Sequence, residues 1–372
     1  MMRPKIMMSA AEVSADILAS YLARELKDCY LFGMGGENMR TAGVDIRIDI
    51  TEKSSVGIIE ALKYIPSHLS TLKTLKKMMR EELPDALILI DAQGFNMPLA
   101  SYAKSLGIKT IYFIAPQEWL WGTKKGVEKV AKTIDLIISI FRKEHETYTA
   151  AGGNSVYFGH PLLDVAKASM GREIFCGKFG LDPKEKIIAL CPGSRIHEIK
   201  NFLPILLDVA GRIGGAQYVL PLSSSKFKDK IEDQISKTTL KIRIVEGRNY
   251  DVLANSDLVI AKSGTIVLEC VCLNTPVIMF YKLSPVTYYI GKYLLRIKLP
   301  FYSMPNILAG RVVVPEYVMA QATAENIYNE AVSILADPNR AKAGYAAVRA
   351  LLGEPGAIKK SAQKIIEFTH SR

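Results

Sequence analysis

Leu258-Val259-Ile260-Ala261-Lys262-Ser263-Gly264-Thr265 is an apolar run that stops at a small loop rich in hydroxyls. Pro192-Gly193-Ser194-Arg195 does the same after Ile187-Ile188-Ala189-Leu190. An apolar run of four without alternation reads as a strand buried on both faces of a parallel sheet, and the loop behind it as the start of a crossover helix. A helix start offers unbonded backbone N–H groups and a partial positive charge, so each loop suits an anion. Ser194, Ser263 and Thr265 add hydroxyl donors, Gly193 and Gly264 permit close approach, and Arg195 adds a permanent charge. One turn past the second loop, Glu269 lies on the same helix facing the same end, where an acceptor suits a ribose diol. Together the loops read as a site for a nucleoside diphosphate.

Working outward, the chain alternates strand and helix throughout. Strands are expected at 6–9, 30–32, 86–90, 110–114, 136–140 and 156–158, and again at 187–190, 217–220, 242–245, 258–260 and 276–280, with amphipathic stretches such as 16–27 and 69–82 between them. This is the pattern of right-handed βαβ units on parallel sheets. Single cores seldom grow past about 250 to 300 residues, so 372 residues predict two domains. The expected boundary falls in the Pro-, Gly- and charge-bearing stretch 161–180, giving an α/β protein of two Rossmann-like domains facing a cleft: 1–165, 166–340, and a C-terminal helical segment 341–372 able to pack back on the first.

Composition narrows the function. Five cysteines (Cys29, Cys176, Cys191, Cys270, Cys272) without a CxxC pair predict reduced thiols and neither a disulfide framework nor a zinc site. The N-terminal residues lack a signal peptide's pattern, and no uncharged apolar stretch reaches membrane-spanning length. The net charge of +11 needs a partner or solvent. No zinc finger, RNP-like strand or arginine-rich arm points to nucleic acid. Anionic lipid headgroups fit better, because residues 62–79 and 288–299 mix Lys and Arg with Leu, Ile, Met and Tyr. From periodicity alone, both stretches read first as ordinary amphipathic helices packed on a sheet.

The first half has its own candidates at strand ends. Ser9-Ala10-Ala11-Glu12-Val13-Ser14-Ala15-Asp16 leaves the first strand for a helix, with Ser14 or Asp16 suited to capping and Glu12 suited to a ligand. Asp91 follows a fully apolar strand, where a carboxylate is costly unless paired or working; it reads as a turn former or as a general base. His160, in Gly159-His160-Pro161, reads first as a hydrogen-bonded turn residue, and Trp119 and Trp121 as packing residues.

Taken with Val56-Gly57-Ile58-Ile59-Glu60, Ile90-Asp91-Ala92-Gln93-Gly94-Phe95-Asn96, Ala115-Pro116-Gln117-Glu118-Trp119-Leu120-Trp121 and Pro305-Asn306-Ile307-Leu308-Ala309-Gly310, these motifs resemble, in their order, the lipid-A-disaccharide synthase family. The chain departs from the family pattern at Ala11 and Ala15, where Gly is frequent, and at Gly94, where Asp is frequent. The resemblance implies a GT-B glycosyltransferase that moves a 2,3-diacylglucosamine unit from its UDP derivative to 2,3-diacylglucosamine 1-phosphate, with inversion. It implies Asp91 as base, Glu12 and Arg195 as further catalytic groups, and Ser14, Ser194, Ser263, Gly264, Thr265, Glu269 and Asn306 as substrate or UDP contacts. No metal and no cofactor are expected, nor any nucleic-acid partner. Acylated substrates imply a peripheral enzyme on the inner face of the inner membrane, and a homodimer is compatible with this picture. Two rivals share the architecture: a UDP-sugar epimerase and an inactive nucleotide-sugar-binding protein.

Overall fold

A computed structural model describes residues 3–49, 58–222, 225–282 and 300–371, with the backbone alone for 58–65. The chain divides into two compact units, Met1–Val165 with Leu352–Arg372, and Ala166–Leu351.

The first unit is built on β1 (Lys5–Ala10), β2 (Tyr30–Met34), β3 (Asp45–Ile48), β4 (Ala86–Ile90), β5 (Lys109–Phe113), β6 (Leu136–Ser139) and β7 (Ser155–Tyr157). They form one parallel sheet in the order β3-β2-β1-β4-β5-β6-β7. Every residue of β4 is fully buried, which is what an unbroken apolar run requires of a strand covered on both faces. The edge strand β3, Asp-Ile-Arg-Ile, escaped the sequence reading because only Ile46 is buried and the exposed positions Asp45 and Arg47 are charged.

The second unit holds β8 (Lys186–Cys191), β9 (Ala216–Leu222), β10 (Ile242–Glu246), β11 (Leu258–Lys262), β12 (Val277–Tyr281) and β13 (Glu316–Val318). Their order is β10-β9-β8-β11-β12-β13, again all parallel. β13 is a three-residue edge too short to register as a periodic pattern. Each sheet reverses its winding once, between β1 and β4 in the first and between β8 and β11 in the second. Such switch points leave a crevice at the strands' carboxyl ends, where open α/β sheets take ligands.

Two expectations are revised, and for the stretch 62–79 the reading from periodicity is supported. The return to the first unit begins at Leu352 and not at 341, because helix Tyr345–Leu351 stays with the second unit: its fully buried Tyr345 hydroxyl accepts from the Val277 N–H. Of the stretch 62–79, Leu75 and Met79 are fully buried in the core of the first unit with Leu72 and Met78 packed against it, so its apolar stripe is largely core, while Leu69 is exposed. The stretch 288–299 lies outside the described residues, as do Val56 and Gly57. Trp121 is 50% exposed and does not pack as expected, whereas Trp119 lies against Phe141 with ring centroids 5.7 Å apart.

Candidate functional site

At the switch point of the first sheet, Ala10 pairs with Ile90, and the chain runs on from these partners into Glu12 and Asp91. Asp91 has φ 52° and Ala92 φ 48°, consecutive left-handed residues that carry side chains. That conformation costs of order 1–3 kcal/mol per residue and persists only when its surroundings over-determine it. They do: the Asp91 N–H donates to Ile114 O at 3.2 Å, and its carbonyl accepts from Asn96 Nδ2 at 2.8 Å and from the Tyr112 hydroxyl at 2.6 Å. Asn96 is fully buried and also reaches back to β1, where its Oδ1 accepts from the Ser9 hydroxyl at 2.7 Å. One carboxylate oxygen of Asp91 accepts from the Ala92 N–H at 2.8 Å, and the side chain stays partly exposed. Asn96 and Tyr112, which the sequence does not single out, thus fix the backbone of Asp91.

Glu12 occupies the cap position of helix Val13–Glu25 in an extended conformation, and its side chain makes no capping bond. Ser14 lies inside the first turn and is not the cap. Asp16 is not a cap of its own helix either: buried, it accepts from the N–H groups of Gly36, Asn38 and Met39 and from Asn38 Nδ2, so it holds the start of helix Glu37–Thr41. His160 behaves as a turn residue. Its Nδ1 accepts from the Leu162 N–H at 3.1 Å, its ring lies 5.0 Å from that of Phe141, and burial lowers it to a pKa of about 3.

Glu144, which drew no notice in the sequence, lies fully buried beyond β6. Its Oε2 accepts from the N–H groups of Ile140 and Phe141, Oε1 has no partner, and burial, aided by the charge of Asp91, pushes its carboxyl up to about 8.

The second switch point carries both anion loops. β8 and β11 are neighbours, with Cys191 paired to Ala261, so Pro192-Gly193-Ser194-Arg195 and Ser263-Gly264-Thr265 emerge side by side. Arg195 caps helix Ile196–Arg212 and Gly264 caps helix Thr265–Cys272. The N–H groups are less open than the sequence suggested: Ser194 donates to Glu198 Oε2 at 3.0 Å, and Ser263 donates to Phe280 O at 3.0 Å within the sheet. The side chains of Ser194, Ser263 and Thr265 are at least partly exposed. A Cβ on Gly264 would meet nothing within 4 Å and its φ is extended, so this glycine answers no local strain and simply leaves the helix start bare. Glu269 sits one turn into that helix beside Cys191 and Cys270, where burial pushes its carboxyl up to about 7.

Asn306 is the clearest departure. It is fully buried, with Nδ2 donating to Val314 O at 2.8 Å and Glu316 Oε1 at 2.7 Å, and Oδ1 accepting from the N–H groups of Val313 and Val314. Both amide hydrogens and both acceptor positions are spent, so its amide shapes the 303–316 segment and offers no open hydrogen-bonding position in this conformation. All five cysteines are free, four of them buried. Among the described residues no group of His, Cys, Asp and Glu is arranged to hold a metal ion, and no helix is long and apolar enough to cross a membrane.

The family model for lipid-A-disaccharide synthetase matches residues 6–367. Lipid-A-disaccharide synthase of Geobacter metallireducens is 36% identical over 375 residues, covering 98% of this chain and 97% of its own; that of Persephonella marina is 35% identical over 384 residues, covering 99% and 100%. Among solved structures, the S. aureus MnaA–UDP complex superposes with a TM-score of 0.67 at 14% identity over 98% of this chain and 96% of its own. Acinetobacter baumannii MurG gives 0.57 at 14% identity over 98% and 99%. The two parallel sheets are of the GT-B kind, and the chain belongs to the lipid-A-disaccharide synthase family, glycosyltransferases of lipid A synthesis.

Proposed function

We propose that the chain transfers 2,3-diacylglucosamine from UDP-2,3-diacylglucosamine to the 6-hydroxyl of 2,3-diacylglucosamine 1-phosphate, releasing UDP and inverting the anomeric centre. The observation that carries this reading is Asp91, a carboxylate held in a strained backbone at a switch point by Asn96 and Tyr112. In a single displacement the acceptor oxygen bonds to the anomeric carbon as the bond from that carbon to the diphosphate breaks. Asp91 takes the hydroxyl proton, and the bonding electron pair leaves with UDP. Glu12 and Ser14, at the end of β1, are assigned to the acceptor. Arg195 and the hydroxyls of Ser194, Ser263 and Thr265 are assigned to the diphosphate, and Glu269 to the ribose. UDP recognition is supported by the fold shared with the MnaA–UDP complex and with the Neisseria meningitidis epimerase bound to UDP-GlcNAc. The acyl chains of both substrates place the enzyme on the cytoplasmic membrane surface, held by exposed apolar groups such as Leu69 and by its excess positive charge.

Incubating purified protein with donor and acceptor separately and together tests the proposal. UDP release that requires the acceptor, with a β-linked disaccharide as product, is the expected result. A donor epimer, UDP release without acceptor, or binding without turnover would overturn it.

A further inference from the structure

At the second switch point, two cations close on one oxygen. Arg195 Nη1 lies 3.1 Å and Lys262 Nζ 2.8 Å from Glu198 Oε1, while Glu198 Oε2 accepts from the Ser194 N–H at 3.0 Å. The carboxylate is 2% exposed and each cation 12%. Arg195 belongs to the loop after β8 and Lys262 is the last residue of β11, so the carboxylate ties the two anion loops together. Gly193 is shaped to this: its φ is 119°, and a Cβ there would come within 2.3 Å of Glu198 Oε2. Lys262 is steadied further by the Tyr281 ring, 5.3 Å from its Nζ.

One buried carboxylate needs only one cation to be neutralised. A second cation gathered onto the same oxygen costs repulsion and desolvation unless an anion answers it. Both cations stand beside the two loops, and the Ser194 N–H is already occupied. An incoming phosphate therefore finds its charge in side chains more than in that helix start.

We propose that Lys262 is a second phosphate-binding cation of the donor site and that Glu198 is the positioning residue that holds Lys262 and Arg195 on a common point. The inference rests on the assignment of UDP to the second unit. Lys262 supplies a compact point charge where Arg195 supplies a planar fork, so the pair grips a diphosphate from two loops. Glu198 keeps both cations in place before the nucleotide arrives, which lowers the ordering cost of binding.

The test is calorimetric titration with UDP and with uridine, on the full chain and on variants whose melting curves match it. Lys262→Met lowers UDP affinity about tenfold or more and leaves uridine affinity within about twofold, whereas Lys262→Arg stays within about threefold of the parent for UDP. Glu198→Gln shows the same selective loss, and adding it to Lys262→Met costs less than the sum of the two, because both act on one unit. A UDP-to-uridine ratio unchanged in Lys262→Met, or equally poor in Lys262→Arg, overturns the role of Lys262. An unchanged ratio in Glu198→Gln overturns its positioning role. If the unmodified protein binds UDP no better than uridine, the donor-site assignment itself falls.

Discussion

The side-chain amide of Asn96 donates to the main-chain oxygen of Asp91 at 2.8 Å, and with it fixes a residue that leaves the first sheet in a left-handed backbone. Asn96→Ala removes that donor and the acceptor for the Ser9 hydroxyl. Misplacement of a base by an ångström costs about a hundredfold in rate, so kcat falls by roughly that factor while KM for either substrate changes little. Buried partners left unsatisfied also cost about 1–3 kcal/mol of stability. Steady-state kinetics and a melting curve read both, and an unchanged kcat would make Asn96 purely structural.

Asp91→Asn keeps the shape of the turn, and its side-chain oxygen still accepts from the Ala92 N–H. Turnover drops on the order of a hundredfold or more, as for loss of a general base, with UDP affinity nearly unchanged. Retention of more than about a tenth of the activity would remove Asp91 from the mechanism, since general-base catalysis contributes far more than that.

Arg195→Ala strips a charge-assisted contact from the donor side and leaves Glu198 its ion pair with Lys262. The combined loss in UDP-sugar binding and in the chemical step is about 2 to 4 kcal/mol. It is measured as kcat/KM together with UDP affinity. Survival of both would show that the guanidinium serves only its own helix start.

Stability should depend on pH through Glu144. Its carboxyl is raised from 4.5 to about 8 by burial, so between those values the folded chain holds a proton that the unfolded chain has released. The contribution is complete below pH 4.5 and is lost as the pH rises to about 8, at no more than about 1.4 kcal/mol per pH unit. Glu144→Gln lacks this titration. The melting temperature of the variant therefore gains on that of the parent as pH rises through this window, and parallel curves across it would place the Glu144 proton elsewhere.

The interior strands were legible because burial on both faces leaves no room for polar residues, as in Ala86-Leu87-Ile88-Leu89-Ile90, and the loops behind them because small residues and hydroxyls interrupt such runs sharply. Asp91 stood out for the same reason, as a charge at the end of an apolar strand. Glu198 and Lys262 did not, since their meaning arises only when β8 and β11 become neighbours. Asn306 misled in the opposite sense: its place in a recognisable motif says that the position matters, and only its four hydrogen bonds show that it matters to its own segment. Edge strands such as β13 are set by their neighbour's register and carry little pattern of their own.

The first unit is interrupted: the chain leaves it at Val165, builds the whole of Ala166–Leu351, and returns for the final segment. That return is stitched in place. Asp164 accepts from the N–H groups of Gly356 and Ile358, Lys109 donates to Phe368 O at 2.8 Å, and helix Ala357–His370 packs against helix Val13–Glu25. On the ribosome, where chains emerge at roughly 5–20 residues per second, the order of completion is therefore inverted. The second unit is whole as soon as it has emerged, while the unit begun first waits for residues 352–371. A nascent chain stalled just short of Leu352 would carry a finished second unit and an incomplete first one, which makes helix Ala357–His370 the latch that closes the first unit.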